Sequence, residues 1–197
     1  NFKNFLFGDI QIIFDYIPYL AHELLPYINA FLGMTKKCIV LDLDNTLWGG
    51  IIGEDGFEKI QLGPEPPGNA YYEFQKFLRV LKQQGIILAI NSKNNLEDAL
   101  KVIQEHPYMI LKEEDFSCLK INWSDKVKNL KEISKELNIG LDSIVFFDDD
   151  KINCEYVNVS LPQVKVVNLS GDPSFFSEIL QNMNDFDSLK ITNEDLK

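Results

Sequence analysis

Cysteine is scarce in this chain. The 197 residues include only three cysteines, Cys38, Cys118 and Cys154, and none of them forms a Cys-x-x-Cys pair with another. Such spacing excludes a disulfide-stabilised scaffold and a zinc site built from cysteine pairs. Unpaired cysteines are typical of a reducing compartment, so we expect a cytoplasmic protein.

Long hydrophobic runs and positive charge are lacking as well. No apolar run approaches the roughly 20 residues that a membrane-spanning helix needs, so we expect no membrane partner. Lysine and arginine number 19 against 30 aspartates and glutamates, which gives a formal net charge of −11. Because nucleic acids and anionic membranes attract basic faces, this balance argues against both as partners.

The composition is otherwise that of a folded globular protein. Apolar residues make up 45% of the chain, and its length fits one domain with a small appendage. We divide it into a helical N-terminal extension (residues 1–35), a main domain (36–184) and a polar tail (185–197). The aromatic extension either packs on the main domain, which we favour, or forms an interaction patch. A start at Asn1 instead of methionine leads us to expect a fragment or processed form.

Apolar runs alternate with amphipathic segments along the main domain. Buried strands are predicted at residues 37–43, 86–90, 143–147 and 164–167, with shorter extended segments at 59–62, 108–111 and 117–122. Helices are predicted from Asn69 to a stop at Gly85, from 94 or 95 to 105, from 124 to a stop at Gly140, and at 173–183. Four glycines in residues 48–56 favour a hairpin or flap over a helix there. This alternation predicts an α/β fold, with helices on both faces of a parallel sheet.

Two carboxylates stand at the end of the first buried strand. Residues 39–47 read Ile-Val-Leu-Asp-Leu-Asp-Asn-Thr-Leu, so Asp42 and Asp44 are one residue apart and Thr46 follows. Side chains at i and i+2 of a strand point the same way, so the two carboxylates converge beyond its carboxyl end. A buried carboxylate needs a cation or strong hydrogen-bond donors. The pattern predicts a site for a hard cation and phosphoryl chemistry at the ligand-binding edge of the sheet.

Two further strand ends carry polar residues of the same kind. Ser92 and Lys93 follow the predicted strand at 86–90, and Asp148 and Asp149 follow the one at 143–147. Carboxyl ends of parallel strands share one edge, so we expect these residues to meet. Mg²⁺ prefers oxygen ligands, which Asp42, the backbone carbonyl of Asp44 and an acid from the Asp148/Asp149 pair would supply.

The residue types allow a covalent route. Asp42 is ionised near neutral pH and could attack phosphorus directly. Asp44 would then protonate the leaving oxygen and later accept a proton, a role that requires a raised pKa. The Ser92 hydroxyl and a lysine would bind the phosphoryl oxygens. Lys126 is the best candidate, because the start of a helix also favours anions.

These residues resemble a known superfamily. Asp42-x-Asp44-x-Thr46, Ser92, Lys126 and Asp148-Asp149 are similar, in order, to the four motifs of the haloacid dehalogenase (HAD) superfamily. The segments 41–50, 53–56, 92–94, 122–126 and 141–149 resemble its FkbH-like subgroup more closely. The resemblance implies a Rossmann-like HAD core with a minimal cap, the flap at 48–56. It implies Mg²⁺-dependent phosphoryl chemistry in a catalytic domain at 36–184.

The resemblance also implies roles for individual residues. Asp42 would be the nucleophile and Asp44 the acid/base. The metal ligands would come from Asp42, Asp44, Asp148 and Asp149, with Asp149 favoured over Asp148. Thr46, Ser92, Lys93 and Lys126 would bind substrate or phosphate, with a solvated surface position as an equal alternative for Lys93.

Members of the FkbH-like subgroup are similar to enzymes that take the glyceryl group of 1,3-bisphosphoglycerate and load it onto an acyl carrier protein for polyketide pathways. Many carry a cysteine immediately before the motif serine, where this chain has Asn91. Three functions therefore stay open. The chain is a phosphotransferase that loads a carrier protein, a stand-alone phosphatase of small phosphorylated metabolites, or a non-catalytic binding domain of a larger synthase.

Overall fold

The computed structural model describes residues 13–32 and 35–186. The chain divides into two compact units, of which one comprises residues 36–183 and the other residues 1–35 with 184–197. In the second unit, a 3₁₀ helix at Phe14–Tyr16 leads into helix α1 at Ile17–Phe31, which confirms a helix in the N-terminal extension. The rest of that extension and residues 187–197 of the predicted polar tail lie outside the described residues. Both boundaries stay predictions.

The main unit is built on one parallel sheet. Its strands are β1 (Cys38–Leu41), β2 (Ile87–Ser92), β3 (Phe116–Ile121), β4 (Ile144–Asp148) and β5 (Lys165–Asn168). They lie in the order β3-β2-β1-β4-β5, and every neighbouring pair is parallel. Leu41 of β1 is in register with Ile90 of β2 and Phe147 of β4. The central strand therefore ends beside both of its neighbours, at one edge of the sheet.

Helices cover both faces of the sheet, as predicted for an α/β fold. They are α2 (Ile52–Asp55), α3 (Gly68–Gln83), α4 (Leu96–Glu105), α5 (Lys126–Glu136), α6 (Lys151–Ser160) and α7 (Phe176–Gln181), with 3₁₀ turns at residues 57–59, 113–115, 141–143 and 173–175. None of the helices in the described residues is long and apolar enough to cross a membrane.

The two faces have separate cores, because side chains alternate along each strand. On one face Val40 and Phe146 pack with Leu130 of α5 and Val157 of α6. On the other face the ring of Phe74 in α3 meets the ring of Phe147 edge-on, with 6.2 Å between centroids. The face under α5 and α6 is the one onto which Asp42 and Asp148 project.

Several local predictions are wrong. Residues 52–55 of the predicted flap form helix α2, because only Gly49 and Gln61 pair across the base, through two backbone hydrogen bonds of 3.0 and 2.9 Å. Helix α3 begins at Gly68, and its N-cap position is Pro67 instead of Asn69. Residues 59–62 and 108–111 form no strand beyond the single bridge at Gln61.

The ends of α5 and the whole of α6 also differ from the prediction. Helix α5 stops at Glu136, and Asn138 takes the left-handed conformation (φ 51°) before Gly140 is reached. Asparagine tolerates that conformation because its short polar side chain bonds locally. Helix α6 was not predicted, since its apolar residues form only a weak helical pattern and it starts among aspartates. Asp150 caps it by accepting hydrogen bonds from the backbone of Ile152 and Asn153 at 2.7 and 3.2 Å.

Candidate active site

Three carboxylates converge where β1 and β4 end. Asp42 directly follows β1, Asp148 is the last residue of β4, and Asp149 comes next. Asp42 and Asp148 continue the alternation of Val40 and Phe146, so both project to the α5 face. One oxygen from each of the three acids lies within 4.8 Å of the others. This spacing could hold a metal ion.

The side chain of Lys126 lies between two of these acids. Lys126 is the first residue of α5, whose N-cap Asp125 accepts a hydrogen bond from the backbone of Lys128 at 3.0 Å. Its Nζ is 2.9 Å from Asp42 Oδ1 and 3.0 Å from Asp148 Oδ2. The residue is only 2% exposed. Burial by itself lowers the pKa of Lys126, but the two carboxylates outweigh it and the pKa is raised. The buried amine is therefore a cation.

Lys126 alone does not neutralise the negative charge of the three clustered acids. Burial, followed by repulsion from Asp42, raises the pKa of Asp148 to about 6. The same two causes, with Asp148 added, raise the pKa of Asp149 to about 6. Like charges that crowd together favour protonation unless a cation neutralises them. The donor set of carboxylate oxygens and its charge therefore suit a hard divalent cation.

Asp44 stands apart from that cluster and has its own set of donors. Its Oδ1 accepts hydrogen bonds from Trp48 Nε1 at 2.9 Å and from the backbone N–H of Ile52 at 3.1 Å, and its Oδ2 accepts one from Asn94 Nδ2 at 2.8 Å. Burial raises the pKa of Asp44, although these hydrogen bonds oppose the rise. A raised pKa and a fixed orientation suit an acid/base. The carboxylate of Asp44 is not one of the three clustered acids, so only its backbone carbonyl remains a predicted ligand.

The other predicted phosphate-binding residues lie in different surroundings. Ser92, 2% exposed, ends β2, and its carbonyl accepts a hydrogen bond from the backbone of Asn122 at 3.0 Å. Thr46 is fully buried, and its hydroxyl has no hydrogen-bond partner among the described residues. Lys93 is exposed, with Nζ 3.5 Å from Asn153 Oδ1 on α6. The roles of all three residues stay predictions.

Sequence reasoning missed the importance of two asparagines. Asn94 was considered only as a possible helix start and as part of the segment 92–94, yet its side chain donates a hydrogen bond to Asp44. Asn91 was noted only for the cysteine that it replaces, yet it is fully buried and its side chain donates to the backbone oxygen of Lys126 at 2.9 Å. The available signal was position, because both flank the motif residues Ser92 and Lys93.

The cysteines offer no activated thiol. All three are buried. Burial raises the pKa of Cys38 and Cys118 to about 12 and that of Cys154 to about 11. A thiol acts as a nucleophile only when ionised, so these side chains are poor acyl acceptors.

One solved structure is similar to this chain over nearly its whole length. It is the N-terminal part of the protein BF1531 from Bacteroides fragilis, which contains a phosphatase domain and is complexed with Mg. The sequences are 38% identical, the match covers 95% of this chain, and the TM-score is 0.84. This chain therefore shares the fold of that phosphatase-containing part. The present chain spans 50% of the length of the Bacteroides chain.

Two further solved structures are more distant. A HAD family enzyme from Bacteroides thetaiotaomicron, bt-2542 in complex with magnesium and inorganic phosphate, is 16% identical, and the match covers 68% of this chain and 93% of that one at a TM-score of 0.46. The 3-deoxy-D-manno-octulosonate 8-phosphate phosphatase from Moraxella catarrhalis is 22% identical, with 83% and 95% covered and the same TM-score. Similarities at this level carry no functional argument. No protein-family model and no curated protein match the chain.

Proposed function

We propose that this HAD domain is a Mg²⁺-dependent phosphohydrolase that works through an aspartyl-phosphate on Asp42. The observation that carries the proposal is the position of Lys126, whose ammonium lies 2.9 Å from Asp42 and 3.0 Å from Asp148 in a cluster of three acids. The Mg complex of the Bacteroides fragilis relative supports the choice of metal. The substrate class is a small phosphorylated metabolite.

The proposed ligands of Mg²⁺ are Asp42, Asp149 and the backbone carbonyl of Asp44. Asp149 is preferred over Asp148, because the Asp148 oxygens already accept the backbone N–H of Asp150 at 2.8 Å and face Lys126. When bound, the metal neutralises charge at the carboxylates and polarises a phosphoryl oxygen.

Two protein groups carry the covalent steps. An oxygen of Asp42 attacks phosphorus while the bond to the leaving oxygen breaks, and Asp44 gives its proton to that oxygen. Asp44 then accepts a proton from water, whose oxygen attacks phosphorus and releases phosphate from Asp42. The donors Trp48 and Asn94 keep the Asp44 carboxylate in one orientation for both transfers. Lys126 and the Ser92 hydroxyl would stabilise the transferring phosphoryl oxygens, with Lys93 and Thr46 as further phosphate-binding candidates.

The surroundings of Asn91 favour hydrolysis over acyl transfer through the enzyme. Its side chain is fully buried, with Nδ2 bound to the backbone of Lys126 and Oδ1 bound to Asn129. It therefore presents no nucleophile, and the buried thiols offer none either. Three free cysteines also suit the proposed cytoplasmic location.

Glyceryl transfer from 1,3-bisphosphoglycerate to an acyl carrier protein is the second candidate. It rests on the FkbH-like residues 41–50 and 122–126, and on Trp123, which is 75% exposed three residues before Lys126. An exposed tryptophan is a typical anchor for a protein partner. A purely non-catalytic binding domain has no need of an Asp44 carboxyl with a raised pKa, nor of a buried Lys126 paired with Asp42 and Asp148.

The test is phosphate release from p-nitrophenyl phosphate and 1,3-bisphosphoglycerate, with Mg²⁺ or EDTA and with or without an acyl carrier protein. We expect release that requires Mg²⁺ and that falls at least about 10³-fold in Asp42→Asn, since the nucleophile is lost. Asp98→Asn is the matched control, because it makes the same change at an exposed position on α4. Full turnover in Asp42→Asn would contradict the covalent mechanism. A glyceryl adduct on the carrier protein would select the second candidate.

A further inference from the structure

Three buried or half-buried asparagines join the end of β2 to the start of α5. Asn91 lies in β2 and is fully buried, Asn129 is 1% exposed one turn after Lys126, and Asn122 directly follows β3. Asn129 Nδ2 donates to Asn91 Oδ1 at 3.0 Å and to Asn122 Oδ1 at 3.1 Å. We call these three residues the asparagine group.

Asn91 contacts Lys126 in two ways. Its side-chain Nδ2 donates to the backbone oxygen of Lys126 at 2.9 Å, and its own backbone oxygen accepts a hydrogen bond from Lys126 Nζ at 2.8 Å. The first hydrogen bond fixes the backbone of Lys126, and the second fixes its ammonium group. A buried amide is costly unless its polar atoms are paired, and Asn129 completes the pairing.

The same group reaches the phosphate-binding serine. The backbone N–H of Asn122 donates to the carbonyl of Ser92 at 3.0 Å, and its side chain accepts from the backbone of Ser124 at 2.9 Å. One network therefore links the strand that carries Ser92 to the loop and helix that carry Lys126. Neither residue can shift without breaking hydrogen bonds in a buried region.

We propose that the asparagine group is the positioning element of this site, and that Asn91 fixes the ammonium of Lys126 in its position between Asp42 and Asp148. The inference rests on the proposed function, in which Lys126 stabilises the transferring phosphoryl oxygens. Asn91 does not touch the reacting atoms and acts through Lys126. Its place before the motif serine thus serves to hold a cation instead of accepting an acyl group.

The first test is steady-state hydrolysis of p-nitrophenyl phosphate with Mg²⁺ by Asn91→Ala, Asn129→Ala and Ser134→Ala. A displaced charge affects the transition state more than substrate binding, so we expect kcat to fall about 10- to 100-fold in Asn91→Ala with KM changed less than about threefold. Asn129→Ala keeps the Asn91 side chain that donates to Lys126, so its kcat should fall less. If Asn91→Ala does not fold, Asn129→Ala tests the proposal in its place.

Ser134→Ala is the matched control. Ser134 is in the same helix, and its hydroxyl donates to the carbonyl of Ile139 at 2.6 Å, at the end of α5 opposite Lys126. It should lose stability but keep kcat. If both asparagine variants lose stability and also keep kcat, the group is merely structural and the proposal is wrong.

The second test does not depend on activity. Acetic anhydride labelling, followed by peptide mass analysis, compares Lys126 with Lys128, whose side chain is 67% exposed. We expect the labelling of Lys126 to rise about tenfold in Asn91→Ala, while the thiol of the fully buried Cys38 stays unreactive and reports that the core is closed. Protection of Lys126 equal to that in the unmodified chain would overturn the proposal. Increased labelling in a chain that hydrolyses no phosphate ester would leave the positioning role intact and refute the proposed function.

Discussion

The acid cluster makes stability depend on pH in an unusual direction. Most native carboxylates have lowered pKa values and stabilise a protein as the pH rises. Asp148 is fully buried, and its pKa is raised from 3.8 to about 6. The folded state therefore binds this proton more tightly than the unfolded state, and its stability falls as the pH rises from about 3.8 to 6. Without a metal, we expect this group to destabilise the protein most above pH 6.

The size of the effect follows from the shift. One pKa unit corresponds to about 1.4 kcal/mol, so a shift of about two units costs about 3 kcal/mol near pH 7.5. At pH 5 the native carboxyl is mostly protonated and about half of that cost is removed. Acidification from pH 7.5 to 5 should thus restore about 1–2 kcal/mol of stability, or about 2–8 °C in Tm for a domain of this size.

The assay is thermal unfolding in EDTA at both pH values for the unmodified chain, Asp148→Asn and the exposed control Asp98→Asn. On acidification, the Tm of the unmodified chain should rise relative to that of Asp148→Asn. The Tm of Asp98→Asn should change by the same amount as that of the unmodified chain. Addition of Mg²⁺ should stabilise the unmodified chain more at pH 7.5 than at pH 5, because protons compete for the carboxylates. Parallel curves for Asp148→Asn and the unmodified chain, or a larger Mg²⁺ effect at pH 5, would refute the reasoning.

Two further predictions concern single hydrogen-bond partners. Asn94→Ala removes a hydrogen-bond donor that lowers the pKa of Asp44. The limb of the kcat–pH profile due to Asp44 should therefore move to higher pH, and kcat should fall about tenfold. A profile superimposable on that of the unmodified chain would argue against Asp44 as the acid/base. Asp150→Ala removes the cap of α6 and should lower the free energy of unfolding, measured by urea titration, by about 1 kcal/mol. An unchanged midpoint of unfolding would show that water replaces the cap at no cost.

The location of the site could be predicted because it depends on strand ends. Asp42, Ser92 and Asp148 each follow an apolar run, and parallel strands put such ends at one edge. The structure has all three there, and Lys126 was expected near the start of α5, although the predicted start was residue 124. Short-range signals were sufficient, since strand alternation and helix starts are properties of a few neighbouring residues.

Predictions failed where local signals are weak or are overridden by contacts. Glycines near residues 48–56 favoured a hairpin, but the buried Trp48 bonds to Asp44 and the chain turns into α2. Helix α6 escaped notice because the residues around its cap, Asp150, resemble a polar loop.

The amino-acid sequence by itself determined the fold class, the edge of the sheet that bears the chemistry, and the acids that gather there, because these follow from periodicity and from the order of strands. The tertiary structure alone decided which partners those acids have. Only packing brings Asn94 to Asp44, 50 residues away, and Asn91 to Lys126, 35 residues away. Those contacts set burial and charge at each carboxylate, and burial and charge set the pKa values on which its chemistry depends.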